Sequence, residues 1–125
     1  MNKIAALSLL LCCLFVAPAL AKRSPPAKVE PVKSADAEYR VPHDQMGCVE
    51  AWDVRTGLLI WRKQVYVVRY DVDLEKDVQD VFITSVEVQK GKLLVKNERA
   101  SEFELDLDTL QAQATKGSLV EKAKR

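Results

Sequence analysis

The sequence is poor in histidine, glycine and cysteine. Its 125 residues include one histidine, four glycines and three cysteines. A single histidine provides no Ser-His-Asp set and no pair of metal-ligating histidines at helical spacing, and the scattered glycines form no phosphate-binding loop. The chain therefore lacks the usual groups of a catalytic or nucleotide site. We expect no enzyme, no catalytic residue and no bound cofactor.

Most of the cysteine lies in residues 1–21, which have the features of a secretory signal peptide. A basic start precedes an apolar run over 4–16, too short to cross a membrane as a helix, and a small-x-small cleavage site ends at Ala21. Leucines rather than small residues precede Cys12, which disfavours a lipoprotein signal. We predict a periplasmic or secreted protein with no transmembrane segment after cleavage. Cys48 then has no disulfide partner within the chain and is expected to be either buried or reactive.

The chain also lacks an excess of charge of either sign. It has 19 basic and 18 acidic residues, and removal of Lys3 with the signal peptide leaves 18 of each. A balanced chain lacks the domain-wide basic field that attracts nucleic acid or anionic lipid. We therefore expect no nucleic-acid partner.

Proline is confined to the first part of the chain, and this divides the sequence. Residues 22–46 hold four of the five prolines among Ala, Lys, Ser and Glu. This composition predicts a flexible linker, with docking on a partner as the alternative. Residues 47–110 lack proline and are rich in β-branched and aromatic residues, which predicts a β-domain. Residues 111–125 are polar and basic, and are expected to form a tail, either a short helix or a frayed end.

The β-domain is predicted to be all-β, with about five antiparallel strands in a small meander, partial barrel or sandwich. In residues 102–107 acids alternate with Phe103, Leu105 and Leu107, which places the three apolar side chains on one face and the acids on a solvated one. The other predicted strands are 48–53, 58–70, 81–89 and 92–97. Their close spacing, with glycine-containing turns between them, favours a meander over βαβ units.

The most informative motif comprises Ala51, Asp53, Thr56, Gly57 and Trp61. Asp53 is suited to accept backbone amides in a turn, Gly57 to adopt a positive φ, and Trp61 to pack a large ring. The motif resembles the repeat of pyrroloquinoline-quinone-type, or quinoprotein-like, β-propellers, Ala-x-Asp-x-x-Thr-Gly-x-x-x-Trp. The resemblance implies a single blade-like hairpin whose motif residues dock one blade on the next and do not hold the quinone.

A weaker copy of the motif occurs later, where Asp106 and Thr109 repeat the spacing of the first copy. Leu110 takes the glycine position and no tryptophan follows. A blade takes about 40–45 residues, so the mature chain covers roughly two blades. Closed propellers use at least about four blades. We therefore expect either a small barrel or sandwich, or several chains that pair their sheet edges.

Two segments are candidates for metal binding. His43, Met46 and Cys48 bring soft ligands for Cu(I) or Zn(II) into one short stretch. The competing interpretation is that Cys48 begins a strand as a small buried residue. Residues 71–80 carry five acids but lack the glycine and final glutamate of an EF-hand loop. This favours a solvated acidic connection with one helical turn over another kind of calcium site.

These features favour a small secreted or periplasmic, non-enzymatic β-domain that acts as a protein–protein interaction or structural module. The expected partner is another envelope or secreted protein, or a second copy joined through sheet edges. The alternative function is a periplasmic ligand- or metal-binding protein. It would use the loop 43–48 or the aromatic side chains of Trp52, Trp61, Tyr66 and Tyr70.

Overall fold

The computed structural model describes Ser24 and residues 26–123, and the predicted signal peptide lies outside these residues. The described chain is all-β, with ten strands and one helical turn. The elements are β1 Val32–Ser34, β2 Ala37–Arg40, β3 Cys48–Asp53, β4 Leu59–Gln64, β5 Val67–Arg69, α1 Lys76–Gln79, β6 Ile83–Gln89, β7 Lys92–Asn97, β8 Glu102–Asp106, β9 Ala112–Lys116 and β10 Val120–Lys122. Among the described residues, no helix has the length and apolarity needed to cross a membrane.

Most of the strands form two antiparallel meanders of four strands each. The first sheet has the order β1-β2-β3-β4 and the second sheet β6-β7-β8-β9, while β10 pairs in parallel with β5. Neither sheet closes into a barrel, and the predicted all-β meander is confirmed. The described residues form ten strands rather than about five because both flanking segments also contribute strands. The predicted strand 58–70 also divides, at Val65 and Tyr66, into β4 and β5.

The second sheet follows the alternation of its sequence. Phe103 and Leu105 are fully buried and lie opposite Val95 and Leu93 of β7. The acids of β8 lie on the other face, where the carboxylate of Glu104 accepts a hydrogen bond from Lys92 Nζ at 3.1 Å. That bond is the main cause of a lowered pKa for Glu104. Strict alternation on β8 thus separates a core face from a charged face, as predicted.

Both sheets contribute to one hydrophobic core. Val49 and Ala51 of β3 are completely buried on the first sheet, and the ring of Tyr66 stacks on that of Phe103 with centroids 4.9 Å apart. The buried apolar residues are Tyr39, Val49, Ala51, Val65, Tyr66, Val68, Val81, Ile83, Val86, Leu93, Val95, Phe103 and Leu105. Burial of this set from water is the main stabilising contribution to the fold.

The prediction of a flexible linker over 22–46 is wrong for residues 32–40, which form β1 and β2. These strands extend the first sheet, because β2 pairs with β3 and β1 pairs with β2. Val32 and Tyr39 face the core together, and the ring centroid of Tyr39 lies 6.0 Å from that of Trp61. Each strand supplies so little apolar surface that its order depends on the strands beside it.

The prediction of a polar tail over 111–125 is also wrong, since β9 and β10 lie within it. β9 packs the small residues Ala112 and Ala114 against the core. Because alanine is only weakly apolar, these two residues give β9 no clear hydrophobic alternation in the sequence. β10 is held by Glu121, whose carboxylate is buried and accepts a hydrogen bond from Ser101 Oγ at 2.5 Å. A charged residue anchors this segment, so its polar composition gives no indication of burial.

Candidate functional site

The Asp-Thr-Gly motif forms a tight turn between β3 and β4, here called the first turn (residues 53–58). Asp53 Oδ1 accepts hydrogen bonds from the backbone amides of Arg55 and Thr56 at 2.8 and 3.3 Å. The amide of Gly57 donates to the carbonyl of Asp53 at 2.8 Å, and Gly57 has φ +71°. Thr56 Oγ1 accepts from the amide of Leu58 at 3.3 Å. Asp53, Thr56 and Gly57 of the motif therefore each have a role in the turn itself.

The weaker copy of the motif forms the same turn between β8 and β9, here called the second turn (residues 106–111). Asp106 Oδ1 accepts from the amides of Asp108 and Thr109 at 2.8 and 3.0 Å, and these bonds lower the pKa of Asp106. The amide of Leu110 donates to the carbonyl of Asp106 at 2.8 Å, and Thr109 Oγ1 accepts from Gln111 at 3.3 Å. Leu110 has φ +60°, so it adopts the left-handed conformation without being glycine.

The two turns differ in the surface that they present. Around the first turn, four large apolar side chains are exposed; they are called here the apolar hairpin surface and comprise Val54, Leu58, Leu59 and Ile60. Leu58 is 67% exposed, Ile60 54% and Leu59 42%. The residues at the same positions of the second turn are Leu107, Gln111, Ala112 and Gln113. Because both turns have the same hydrogen bonds, the turn itself does not require the three consecutive apolar residues.

The apolar hairpin surface continues into β4, which is an edge strand. Among the described strands, β4 pairs with β3 alone. The amide of Val65 donates to the carbonyl of Gly47 at 2.8 Å, so the backbone groups of Val65 point towards β3. Along an antiparallel strand, residues whose backbone groups point to the partner alternate with residues whose groups point away. Counting back from Val65, Gln64 and Arg62 therefore direct their N–H and C=O groups away from β3. These backbone groups lie along the open edge.

The face of the first sheet opposite the core carries a compact polar cluster. Glu50 is only 6% exposed, although it lies on this outer face. Arg62 Nε and Nη2 donate to Glu50 Oε2 at 2.9 and 2.6 Å, and Trp52 Nε1 donates to Oε1 at 3.4 Å. The guanidinium of Arg40 lies 4.8 Å from the centroid of the Trp52 ring. The cluster orients Arg62 at the edge of the sheet, beside the apolar hairpin surface.

The predicted aromatic group does not form one face. Trp61 packs against the core beside Tyr39, whereas Trp52 lies on the outer face. Tyr66 is fully buried, and burial raises the pKa of its hydroxyl. Tyr70 donates to Asp80 Oδ1 at 2.6 Å in the connection between β5 and β6. The structure thus separates these side chains into different environments.

The candidate metal ligands have packing roles in the structure. His43 lies with its ring centroid 5.7 Å from that of Phe82, and Met46 packs against the margin of the core. Cys48 is buried at the start of β3, and burial raises the pKa of its thiol, which keeps the thiol protonated. Within residues 26–123, no three His, Cys, Asp or Glu side chains converge in a metal-binding arrangement.

The acidic connection 71–80 is closed by a buried side-chain amide. The side chain of Gln79, in the predicted helical turn, accepts a hydrogen bond from the amide of Asp71 at 2.5 Å. Its Nε2 donates to the carbonyls of Asp71 and Leu74 at 2.9 and 3.0 Å. This amide closes the loop on itself, while most of the loop's acids remain exposed or half-buried.

Comparisons with known proteins add no family to this description. No protein-family model matches the chain. No curated protein matches it either. The case for the surface around the first turn therefore depends on the geometry and the chemistry of this chain alone.

The exposed surface on β4 was not among the sites predicted from the sequence. The stretch Leu58, Leu59 and Ile60 is continuously apolar, a pattern typical of a buried strand. An alignment of the two Asp-Thr motifs places glutamine, alanine and glutamine at the same positions of the second copy. That difference is the one indication in the sequence that the apolar run is not needed for the turn.

Proposed function

We propose that this protein is a small, non-enzymatic interaction module whose contact surface is the apolar hairpin surface together with the open edge of β4. The observation that carries the proposal is the exposure of Leu58, at the end of the first turn, and of Leu59 and Ile60 on β4, a strand paired along one side only in the described sheet. The partner class is another envelope or secreted protein. The periplasmic or secreted location depends on the signal-like residues 1–21.

An open apolar edge needs an explanation in a natural protein. Edge strands are ordinarily protected by charge, proline, bulges or short length, because their free backbone groups pair with other chains. β4 has a bulge opposite Ala51 and Trp52 of β3, yet its first two residues, Leu59 and Ile60, continue the exposed apolar run that begins at Leu58. Contiguous exposed apolar residues of this kind are typical of interaction sites. Burial of such side chains gives roughly 25 cal/mol for each Å² removed from water.

The second sheet provides an internal comparison. Its corresponding strand, β9, is also an edge strand, and it follows a turn with the same hydrogen bonds. β9 nevertheless presents Gln113 and Lys116 to solvent. The same turn hydrogen bonds with different surfaces support a functional rather than a turn-forming reason for the apolar residues, although the β-bulge lies at Ile60 in the first hairpin and further along, at Thr115, in the second.

We also propose that the two sheets are copies of one blade-like unit. Each is a four-stranded meander, and each has the Asp-Thr turn between its third and fourth strands. The copies differ at the alanine position, where Ala51 is buried and Glu104 lies on the charged face, at the glycine position, occupied by Leu110, and at the tryptophan position, occupied by Ala114. Because the motif residues that dock one blade on the next differ between the copies, we infer that the two sheets pack against different neighbours. We propose no quinone-binding role.

The experiment replaces the apolar run by the residues of the second turn. The triple variant Leu58→Gln, Leu59→Ala, Ile60→Gln keeps the turn hydrogen bonds, so its free energy of unfolding should stay within about 0.5 kcal/mol of wild type. Tagged mature protein should capture a specific partner from the envelope or secreted fraction, and the triple variant should lose that partner. A matched control replaces Gln111 and Gln113 by Ser. Equal capture by wild type and the triple variant would contradict the proposal.

A further inference from the structure

We propose that the partner adds an extended strand to the open edge of β4, and that this strand carries acids in its first half and apolar residues in its second half. The inference rests on the proposed function and names the kind of partner that the surface takes. It follows from three properties of β4: its free backbone groups, its exposed apolar residues and the sign of its charge.

The free backbone groups favour a strand over other occupants. Arg62 and Gln64 direct their N–H and C=O groups to the open edge. An added strand supplies the matching acceptors and donors, which is the basis of recognition by strand addition. A lipid surface offers no such complement, because hydrocarbon leaves backbone groups without partners at a cost of several kcal/mol each. The edge therefore favours a polypeptide.

The charges that β4 itself carries are of one sign, since the strand includes Arg62 and Lys63 and no acid. Nearby in space, Arg55 pairs with Asp36 at 3.8 Å and Arg62 pairs with Glu50. Arg62 uses Nε and one N–H of Nη2 for Glu50, which leaves three of its five donors for another group. Glu50 holds the guanidinium in place, so a carboxylate on an added strand would meet a pre-oriented donor. Acids on the partner thus complement this half of the edge.

The order of these features along β4 gives the order of the partner's residues. The exposed apolar residues Leu59 and Ile60 come first, and Arg62 and Lys63 follow. The first sheet is antiparallel throughout, and an antiparallel addition continues that pattern. Such a strand meets the basic half of β4 with its own amino-terminal half. Its acids therefore come first and its apolar residues last.

A second copy of this chain fits the edge less well. In an antiparallel pairing of β4 with β4 that is centred on the outward backbone groups of Arg62, the Arg62 side chains of the two copies lie opposite each other. Like charges then meet across the pair, and no acid of β4 is present to offset them. Charge complementarity therefore favours a different strand over self-pairing.

The test uses the mature full-length chain, labelled with ¹⁵N, and a synthetic peptide of about ten residues with two aspartates followed by alternating valine and threonine. Saturating peptide should slow hydrogen exchange at the Arg62 and Gln64 amides by about tenfold or more. The amides of β9, the corresponding edge of the second sheet, are the internal control and should not change. A peptide with N-methylated alternate amides, and one with lysines in place of the aspartates, should each bind at least about tenfold more weakly.

Several outcomes would overturn strand addition. Absence of peptide binding at millimolar concentration would do so, as would binding that leaves the Arg62 and Gln64 amides unprotected. Another outcome is peptide binding that leaves these two amides unprotected and is lost in the triple variant of Leu58, Leu59 and Ile60. That outcome would support the proposed contact surface and refute strand addition. Binding that is equal in wild type and the triple variant would exclude both. Protection of the two amides that rises with protein concentration, without peptide, would assign the edge to a second copy.

Discussion

Replacement of Glu121 by alanine should detach the carboxyl-terminal strand and destabilise the domain. Glu121 is 8% exposed, and its Oε1 accepts hydrogen bonds from Ser101 Oγ at 2.5 Å and Asn97 Nδ2 at 3.1 Å. Arg99 Nη1 lies 3.6 Å from Oε2, and the same guanidinium donates to the carbonyl of Lys122. One carboxylate therefore satisfies three polar side chains that the fold keeps largely from solvent.

The magnitude follows from what the alanine leaves behind. Removal of one partner from a buried charged network costs about 3–5 kcal/mol, because the remaining groups lose their hydrogen bonds. Arg99 retains some access to water, so the loss should lie near the lower end, about 3 kcal/mol. This is a large part of a small domain's stability of roughly 5–15 kcal/mol. In urea denaturation the midpoint should fall by about 1–3 M, given the usual denaturant dependence of about 1–3 kcal/mol per M for small proteins.

Two control variants separate the network from the strand itself. Glu121→Gln keeps an oxygen for Ser101 and Asn97 and removes the charge, so it should cost about 1–2 kcal/mol. Lys122→Ala changes an exposed side chain of the same strand and should stay within about 0.5 kcal/mol of wild type. Hydrogen exchange should show early loss of protection in β5 and β10. An unchanged urea midpoint for Glu121→Ala would refute the assignment of this network as the anchor.

Further predictions concern four individual positions. Trp61→Ala should cost about 2–3 kcal/mol, less than the loss of a fully buried aromatic, and more than Trp52→Ala, because Trp61 packs on the core; the reverse order of denaturation midpoints would contradict this packing. Gly57→Ala should cost about 1–2 kcal/mol through its positive φ alone, since its new Cβ meets open space. Gly47→Ala should cost clearly more by thermal melting, because its Cβ would lie 2.2 Å from a backbone carbonyl oxygen. The lowered pKa of Asp106 stabilises the fold at pH values above the ordinary aspartate pKa of about 4, and this contribution is lost as pH falls through the lowered pKa. Asp106→Asn should therefore flatten the decline in stability below about pH 4, and an unchanged slope would argue against the turn's amides as the cause.

Several features of the fold were determined by the sequence itself. The alternation in residues 102–107 was sufficient to place Phe103 and Leu105 in the core, because successive side chains of a strand point to opposite faces. The first turn was equally predictable, since the side chain of Asp53 and the positive φ of Gly57 act within a few residues. These are local properties, and they depend little on the rest of the molecule.

Other features were decided only by the tertiary structure. Residues 32–40 and β10 are ordered through contacts with strands far away in the sequence, and their own apolar surface is too small to reveal this. The exposure of Leu58, Leu59 and Ile60 likewise depends on β4 lying at the edge of its sheet. An apolar run has the same sequence pattern in a central strand and in an edge strand. Whether it is buried is determined by the neighbour that pairs with it or is absent, and strand pairing between distant segments is not encoded in local periodicity.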